Sequence, residues 1–328
     1  MATKSGPRLG GMVPTEGVLT PGRVTEWVQA DGRLQPDVRA DLRRIPSWRN
    51  ALSVVSVFVQ TIGLIALAVW AGPWAWLPVF VLMGRAHAQF ASLMHEAAHR
   101  LLFRNKRTND FVGRWLIGYP TLTNTDAYRR VHMAHHREEF GPDEPDIPLY
   151  ANYPITTASF RRKLVRDATG RTGLRLLRDQ LAGITRPVPV VRRTVLKILF
   201  VQAVLIILSI VLGVWWVYPL FWLAPYLTVW RVINRLRSIA EHGGLMASKD
   251  RRVATHSVAQ HWLPRFFLVP FNIGFHLAHH VDAGVPFRNL PRYHRFLVES
   301  NFVTSEYEHP TYRALWNSLQ SRLEASGR

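Results

Sequence analysis

The sequence predicts an all-α membrane protein: four transmembrane helices in two hairpins, with a cytoplasmic cap rich in histidine. Three observations predict it. Two blocks, Ala51–Met94 and Thr194–Ile233, are almost free of charge within a chain that is 48% apolar. Lys and Arg are absent from both expected hairpin tips and abundant outside the two blocks. Eight of the fourteen histidines fall into three five-residue boxes.

Crossing a bilayer core takes about twenty predominantly apolar residues. Ala51–Ala71 qualifies, interrupted only by Ser53, Ser56, Gln60 and Thr61. Pro73–Met94 is the second run, joined to the first by the turn Ala71-Gly72-Pro73. It carries Arg85 and His87, whose cost in lipid turns them toward protein or a cavity. Val195–Gly213 is the third, with Lys197 near enough to its end to snorkel. Val214–Ile233 follows directly, and Trp215, Trp216 and Tyr218 sit near the turn, where interfacial aromatics collect.

Charge orients these spans. Lys and Arg number 41 against 22 Asp and Glu, a net charge of +19. Eight basic residues precede the first span and eighteen lie between the hairpins. By the positive-inside rule both termini and the long central segment are cytoplasmic, which suits a plasma (inner) membrane. The charge then reads as topology and contact with anionic lipid. It is scattered without a nucleic-acid-binding module, so no nucleic-acid partner is expected. With no cysteine, disulfides, cysteine-ligated zinc, iron–sulfur clusters and thiol catalysis are excluded. Residues 1–50 form a polar, basic arm, expected to be mobile or draped on the membrane and without the features of a secretory signal. Residues 51–299 make the membrane domain and 300–328 a tail. Within the domain, Phe160–Arg193 is basic with interspersed Leu164, Leu174, Leu176, Leu177 and Leu181, the pattern of a helix lying at the interface.

The boxes are His95-Glu-Ala-Ala-His99, His132-Met-Ala-His-His136 and His276-Leu-Ala-His-His280. Residues three and four apart share a helix face, so the histidines of each box project together. Imidazole suits zinc, copper, iron and nickel, and eight convergent imidazoles exceed the needs of one ion. Two metal ions fit, at the cytoplasmic mouth of the spans. His242, directly after the fourth span, is positioned to join them. His87, two turns before His95, reads as cavity lining or as ordinary bonding within the bundle. His256, His261, His294 and His309 are read as unrelated to the metal.

Boxes of the form HxxxH, HxxHH and HxxHH around two hydrophobic hairpins resemble the membrane fatty acid desaturase family and its related hydroxylases. The resemblance runs from about Ala51 to Phe296. Gly141-Pro-Asp-Glu-Pro-Asp146 is similar to the family's acidic turn, and Val285-Pro-Phe-Arg-Asn-Leu-Pro-Arg-Tyr-His294 to its Val-Pro…Leu-Pro…His ending. Arg235-Leu-Arg-Ser-Ile-Ala-Glu-His-Gly243 resembles a subgroup in which the histidine is an added ligand. The third box departs from many acyl-lipid members, which carry Glu where Ala278 stands.

The resemblance implies a non-haem di-iron centre held by His95, His99, His132, His135, His136, His242, His276, His279 and His280. It implies O₂ as co-substrate, an acyl-chain lipid as substrate and a C=C bond as product, with hydroxylation the alternative outcome. Carboxylates that orient ligating imidazoles are expected behind them; Glu96, Asp146 and Glu241 are candidates, with Asn272. No fused electron-donor domain is evident, so reduction falls to a separate protein such as a ferredoxin with its reductase, for which an acidic surface would suit the basic face. Two rival readings compete. His95-Glu96-Ala-Ala-His99 matches the HExxH motif of zinc metalloproteases, but that chemistry leaves both HxxHH boxes unused. A metal transporter would place ligands near the bilayer midplane, whereas these lie outside the apolar runs.

Overall fold

A computed structural model of the chain describes residues 6–141, 144 and 146–321. Among the described residues the structure is helical, with two isolated β-bridges and no strand. In chain order the principal helices are α1 (Pro36–Leu42), α2 (Ser47–Ala71), α3 (Pro73–Ala98), α4 (Lys106–Phe111), α5 (Thr125–Arg137), α6 (Thr157–Ala168) and α7 (Arg171–Leu181). They continue with α8 (Pro189–Val211), α9 (Val229–His242), α10 (His276–Val281), α11 (Leu290–Glu299) and α12 (Tyr312–Leu319). Two compact units emerge: Met1–Arg44, Arg130–Arg162 and Arg235–Arg328 make the first, Ile45–Arg129 and Lys163–Asn234 the second.

The second unit holds the apolar helices. By length and composition α2 and α8 can each cross a membrane. Val59 and Ile62 on α2, with Phe200 and Ile207 on α8, are all more than half exposed. Contiguous apolar faces of this kind call for lipid or a partner. Helix α3 is 26 residues long, and nearly every residue from Met83 to Ala98 is buried. Its Arg85 turns inward as expected and donates to Gln60 and Gln89 at 2.7 and 2.8 Å.

No continuous helix spans Val214–Ile233. A π-helical stretch, Tyr218–Leu223, passes into the short helix Ala224–Leu227 and then α9. Pro219 and Pro225 explain the break, since neither supplies the N–H that an α-helical ladder requires. Helix α9 then runs past the expected end at Ile233 and delivers His242 on its last turn. The amphipathic stretch Phe160–Arg193 likewise divides, into α6, α7 and the start of α8, with Gly170 in the left-handed region (φ +76°) before α7.

In the first unit the described part of the N-terminal arm, residues 6–44, is packed where the composition suggested a mobile or membrane-draped segment. Gly10 and Met12 donate backbone N–H groups to Leu245 and Gly244 carbonyls at 3.1 and 2.9 Å. Trp27 stacks on Phe296 with centroids 4.9 Å apart, and Val28, Leu34 and Leu42 are buried. Arg39 and Arg43 both bind Asp282, two residues beyond the third box. A few apolar anchors and two ion pairs suffice to order a segment whose composition looks unstructured.

Candidate metal centre

Seven box and near-box histidines belong to the first unit. Helix α5 brings His132, His135 and His136, α9 ends on His242, and α10 carries His276, His279 and His280. All are buried except His136, which is half-buried. Their Nε2 atoms converge in two groups. His276 Nε2 lies 3.0 Å from His242 Nε2 and 3.1 Å from His280 Nε2. His136 Nε2 lies 3.1 Å from His132 Nε2 and 3.0 Å from His279 Nε2. The His135 ring stands 4.7 and 5.1 Å from the rings of His242 and His280.

Proton counting tests whether this is a hydrogen-bonded cluster or a metal site. His242 Nδ1 is 2.8 Å from the Ala254 carbonyl and carries a proton there. Burial lowers this ring's pKa but the hydrogen bond to Glu139 raises it, for a net rise, and in the neutral ring Nε2 is a lone pair. Burial drives His280 down to about 3, leaving it neutral at physiological pH. With Glu139 beside its Nδ1, its lone pair also points toward His276. One nitrogen cannot donate to both neighbours, whereas a shared cation satisfies all three. The spacing agrees, because two nitrogens about 2.1 Å from one ion at a right angle lie roughly 3.0 Å apart. The residues therefore fit metal.

Carboxylates stand behind the rings. Glu139 Oε1 is 3.1 Å from His242 Nδ1 and 3.3 Å from His280 Nδ1. Thr255 Oγ1 donates to the same oxygen at 3.1 Å, and Arg251 to Oε2 at 2.7 Å. Burial alone would raise this carboxyl, but the two imidazoles hold it well below the usual range. Glu139 is close enough to share an ion with His135, His242 and His280. It also stands at the Nδ1 side of two of those rings, away from the converging Nε2 atoms. Glu144 accepts from the Phe140 N–H and the Tyr150 hydroxyl and touches His135 Nδ1. Glu241 binds Arg237 Nε at 2.6 Å and lies 3.6 Å from His276 Nδ1.

The expected orienting residues divide accordingly. Glu241 stands near His276. At His135 the carboxylate in contact is Glu144, two residues before the candidate Asp146, whose carboxyl burial raises. Pro142, Asp143 and Pro145 of the acidic turn lie outside the described residues. Asn272 bonds Arg265 and the Phe287 carbonyl. Sequence reasoning missed Glu139, although its position four after His135 and three after His136 was a usable signal. His256, His261 and His294 bind the Gly243 carbonyl, the Pro310 carbonyl and Glu308.

In the second unit, His95 and His99 share the C-terminal end of α3 with ring centroids 4.8 Å apart. His95 and Glu96 are buried. The end of that helix is held from three sides. Arg129 donates to the Ala98 and Ala97 carbonyls at 2.9 Å each, and Asn109 Nδ2 to Ala97 at 2.9 Å. Asn50 reaches the Leu102 carbonyl at 3.0 Å. His87 Nε2 lies 3.0 Å from the Trp222 carbonyl.

The family profile described as "Fatty acid desaturase" matches residues 68–315. The chain belongs to the fatty acid desaturase family. Its members are oxidoreductases, and the match includes the HExxH segment together with both HxxHH boxes, which disfavours the protease reading. Among curated relatives, the chain is 28% identical over 229 residues to the dihydrorhizobitoxine desaturase of Bradyrhizobium elkanii. That alignment covers 65% of each chain, a little under two-thirds of the relative's length. It is 24% identical over 270 residues to the sn-1 oleoyl-lipid 12-desaturase of a Picosynechococcus species, covering 76% of each.

Proposed function

We propose that the protein is a membrane desaturase that introduces a C=C bond into an alkyl chain at a non-haem di-iron centre. The observation that carries the proposal is the convergence of imidazole Nε2 atoms in two groups, backed by carboxylates at Nδ1. In this reading His135, His242, His276 and His280 serve one iron, and His132, His136 and His279 the other. His95 and His99 complete the set, being a helical i, i+4 pair at the end of α3. Integral membrane placement with four spans and both termini cytoplasmic is part of this reading; the apolar helices α2 and α8 and the charge distribution support it.

When bound, an iron pair supplies the power to activate O₂ against an unactivated C–H bond. The balance is –CH₂–CH₂– + O₂ + 2 e⁻ + 2 H⁺ → –CH=CH– + 2 H₂O, with electrons from a separate donor such as ferredoxin and its reductase. The chain's own residues do the positioning. Glu139, held ionised by the His280 and His242 imidazoles and bonded by Arg251 and Thr255, faces the Nδ1 atoms of both rings and so turns their Nε2 atoms inward. Glu144 does so for His135. The buried rings exclude water from the space they enclose, as control of a reactive cofactor requires.

The test is lipid mass spectrometry on host membranes expressing the wild type or His135→Ala, with a ferredoxin and its reductase supplied. A species lacking two hydrogens, present only with the wild type, is expected. A species gaining one oxygen would reassign the outcome to hydroxylation. No new species from an iron-loaded, reduced wild type would defeat the proposal.

A further inference from the structure

Two side chains of the second unit, His87 and Arg231, hold buried polar atoms without a hydrogen-bond partner. Helix α3 meets the chain near Val229 so closely that a Cβ at Gly84 would lie 2.3 Å from the Val229 side chain. One turn further along α3, the fully buried His87 packs its ring 4.7 Å from Trp222 and 5.5 Å from Tyr226. Its Nε2 faces the Trp222 carbonyl at 3.0 Å and so carries the proton. Its Nδ1 is then a lone pair, buried and without a hydrogen-bond partner. Over the same Tyr226 ring, at 4.1 Å, lies the guanidinium of Arg231. Arg231 Nε and Nη2 are also buried with no partner.

Nε and Nη2 form the planar edge that matches the two oxygens of a carboxylate. Arg231 as a whole is half-buried, but its Nε–Nη2 edge is shut away from water with no acceptor, and a buried cationic edge favours an anion as its partner. Trp222 and Tyr226 pack against His87, and Tyr226 also against Arg231, so the surroundings are apolar, and the His87 lone pair is available to an O–H or N–H. Nothing in the folding of the unit uses this edge.

We propose that Arg231, with His87 beside it, is a binding site for the free carboxylate of the substrate. This rests on the desaturase reading and narrows it: the substrate class becomes a chain bearing an acid head, in place of one esterified to glycerol. His87 precedes His95 by eight residues on α3, about 12 Å of helix rise. A head held at His87 therefore sets which part of the chain reaches the end of α3.

The experiment uses the purified full-length protein in non-ionic detergent, with iron content measured beside thermal stabilisation by three probes: dodecanoate, methyl dodecanoate and dodecyl phosphate. Dodecanoate should stabilise the wild type at concentrations roughly tenfold below the methyl ester, the loss expected for removing a charge-assisted pair of hydrogen bonds. Arg231→Met should abolish that preference while iron content stays at the wild-type level, and His87→Phe should weaken it. Equal stabilisation by acid and ester overturns the proposal even if the Arg231 variant fails to fold. So does stronger stabilisation by dodecyl phosphate, or a preference that survives in Arg231→Met. A wild type that takes up no iron yet prefers dodecanoate supports the acid site and defeats the di-iron reading, so the two failures are separable.

Discussion

At Glu139 one buried carboxylate gathers Arg251, Thr255, His242 and His280. Replacing it with Gln keeps the shape but removes the charge and turns an N–H₂ toward one of those donors. The rings of His242 and His280 then lose what fixes their Nε2 atoms inward. Loss of such an orienting partner typically weakens metal binding about 10–100-fold. Glu139→Gln should lose iron to a competing chelator at correspondingly lower concentration, whereas the exposed neighbour changed as Glu138→Gln should retain it. Equal retention by both variants would remove Glu139 from the site. The eight box histidines could be named as candidates from helical spacing, because residues within one box meet through local geometry, whereas His242 was named from its place after the fourth apolar run and from the family resemblance. The carboxylates were harder to read. Glu144, not Asp146, meets His135 because the chain turns after Phe140, a non-glycine residue at φ +60°, and a bulky residue there gives no sign of that turn.

Among the elements, the end of α3 shows how local chemistry positions two candidate ligands. The last carbonyls of any helix lack intrahelical donors, and a cation there also meets the favourable end of the helix dipole. Arg129 fills both needs while pairing with Asp110 at 2.6 Å. Arg129→Met should therefore destabilise the protein by about 1–3 kcal/mol, the usual cost of leaving buried polar groups unmade. Arg129→Lys should recover only part of this, since an ammonium cannot reproduce the two-carbonyl fork. Thermal melting of the three purified proteins checks it, and a Met variant that melts with the wild type would show the cap to be dispensable. In the first hairpin α2 was legible as a helix long and apolar enough to cross a membrane, and α3 as a continuous helix over the expected run, although Arg85, His87 and Gln89 break its apolar character. The second was legible only in α8. Counting apolar residues cannot see that Pro219 and Pro225 interrupt a ladder, or that α9 continues through polar residues to His242.

For the whole molecule, the open matter is which side of the membrane each segment occupies. Helices of 25 and 26 residues are about 37–39 Å long, more than the roughly 30 Å of a bilayer core. In the four-span reading proposed above, a short turn at Gly72 would put its flanking residues beyond the far interface. The same reading puts the basic residues on the other side, where anionic lipid would attract them. The absence of any cysteine makes this directly measurable, because each introduced thiol is the only one in the chain. Trp74→Cys and Trp215→Cys mark the two turns at highly exposed positions, 94% and 66%, and Arg161→Cys marks the exposed basic segment between the hairpins. In intact cells a membrane-impermeant maleimide should label the two turn variants and leave Arg161→Cys and the cysteine-free wild type unlabelled. Opening the cells should then expose Arg161→Cys. The opposite pattern would invert the orientation. Turn variants that stay silent until the cells are opened would mean that the hairpins dip into the membrane and return, and the four-span reading would fall while the histidine site stood.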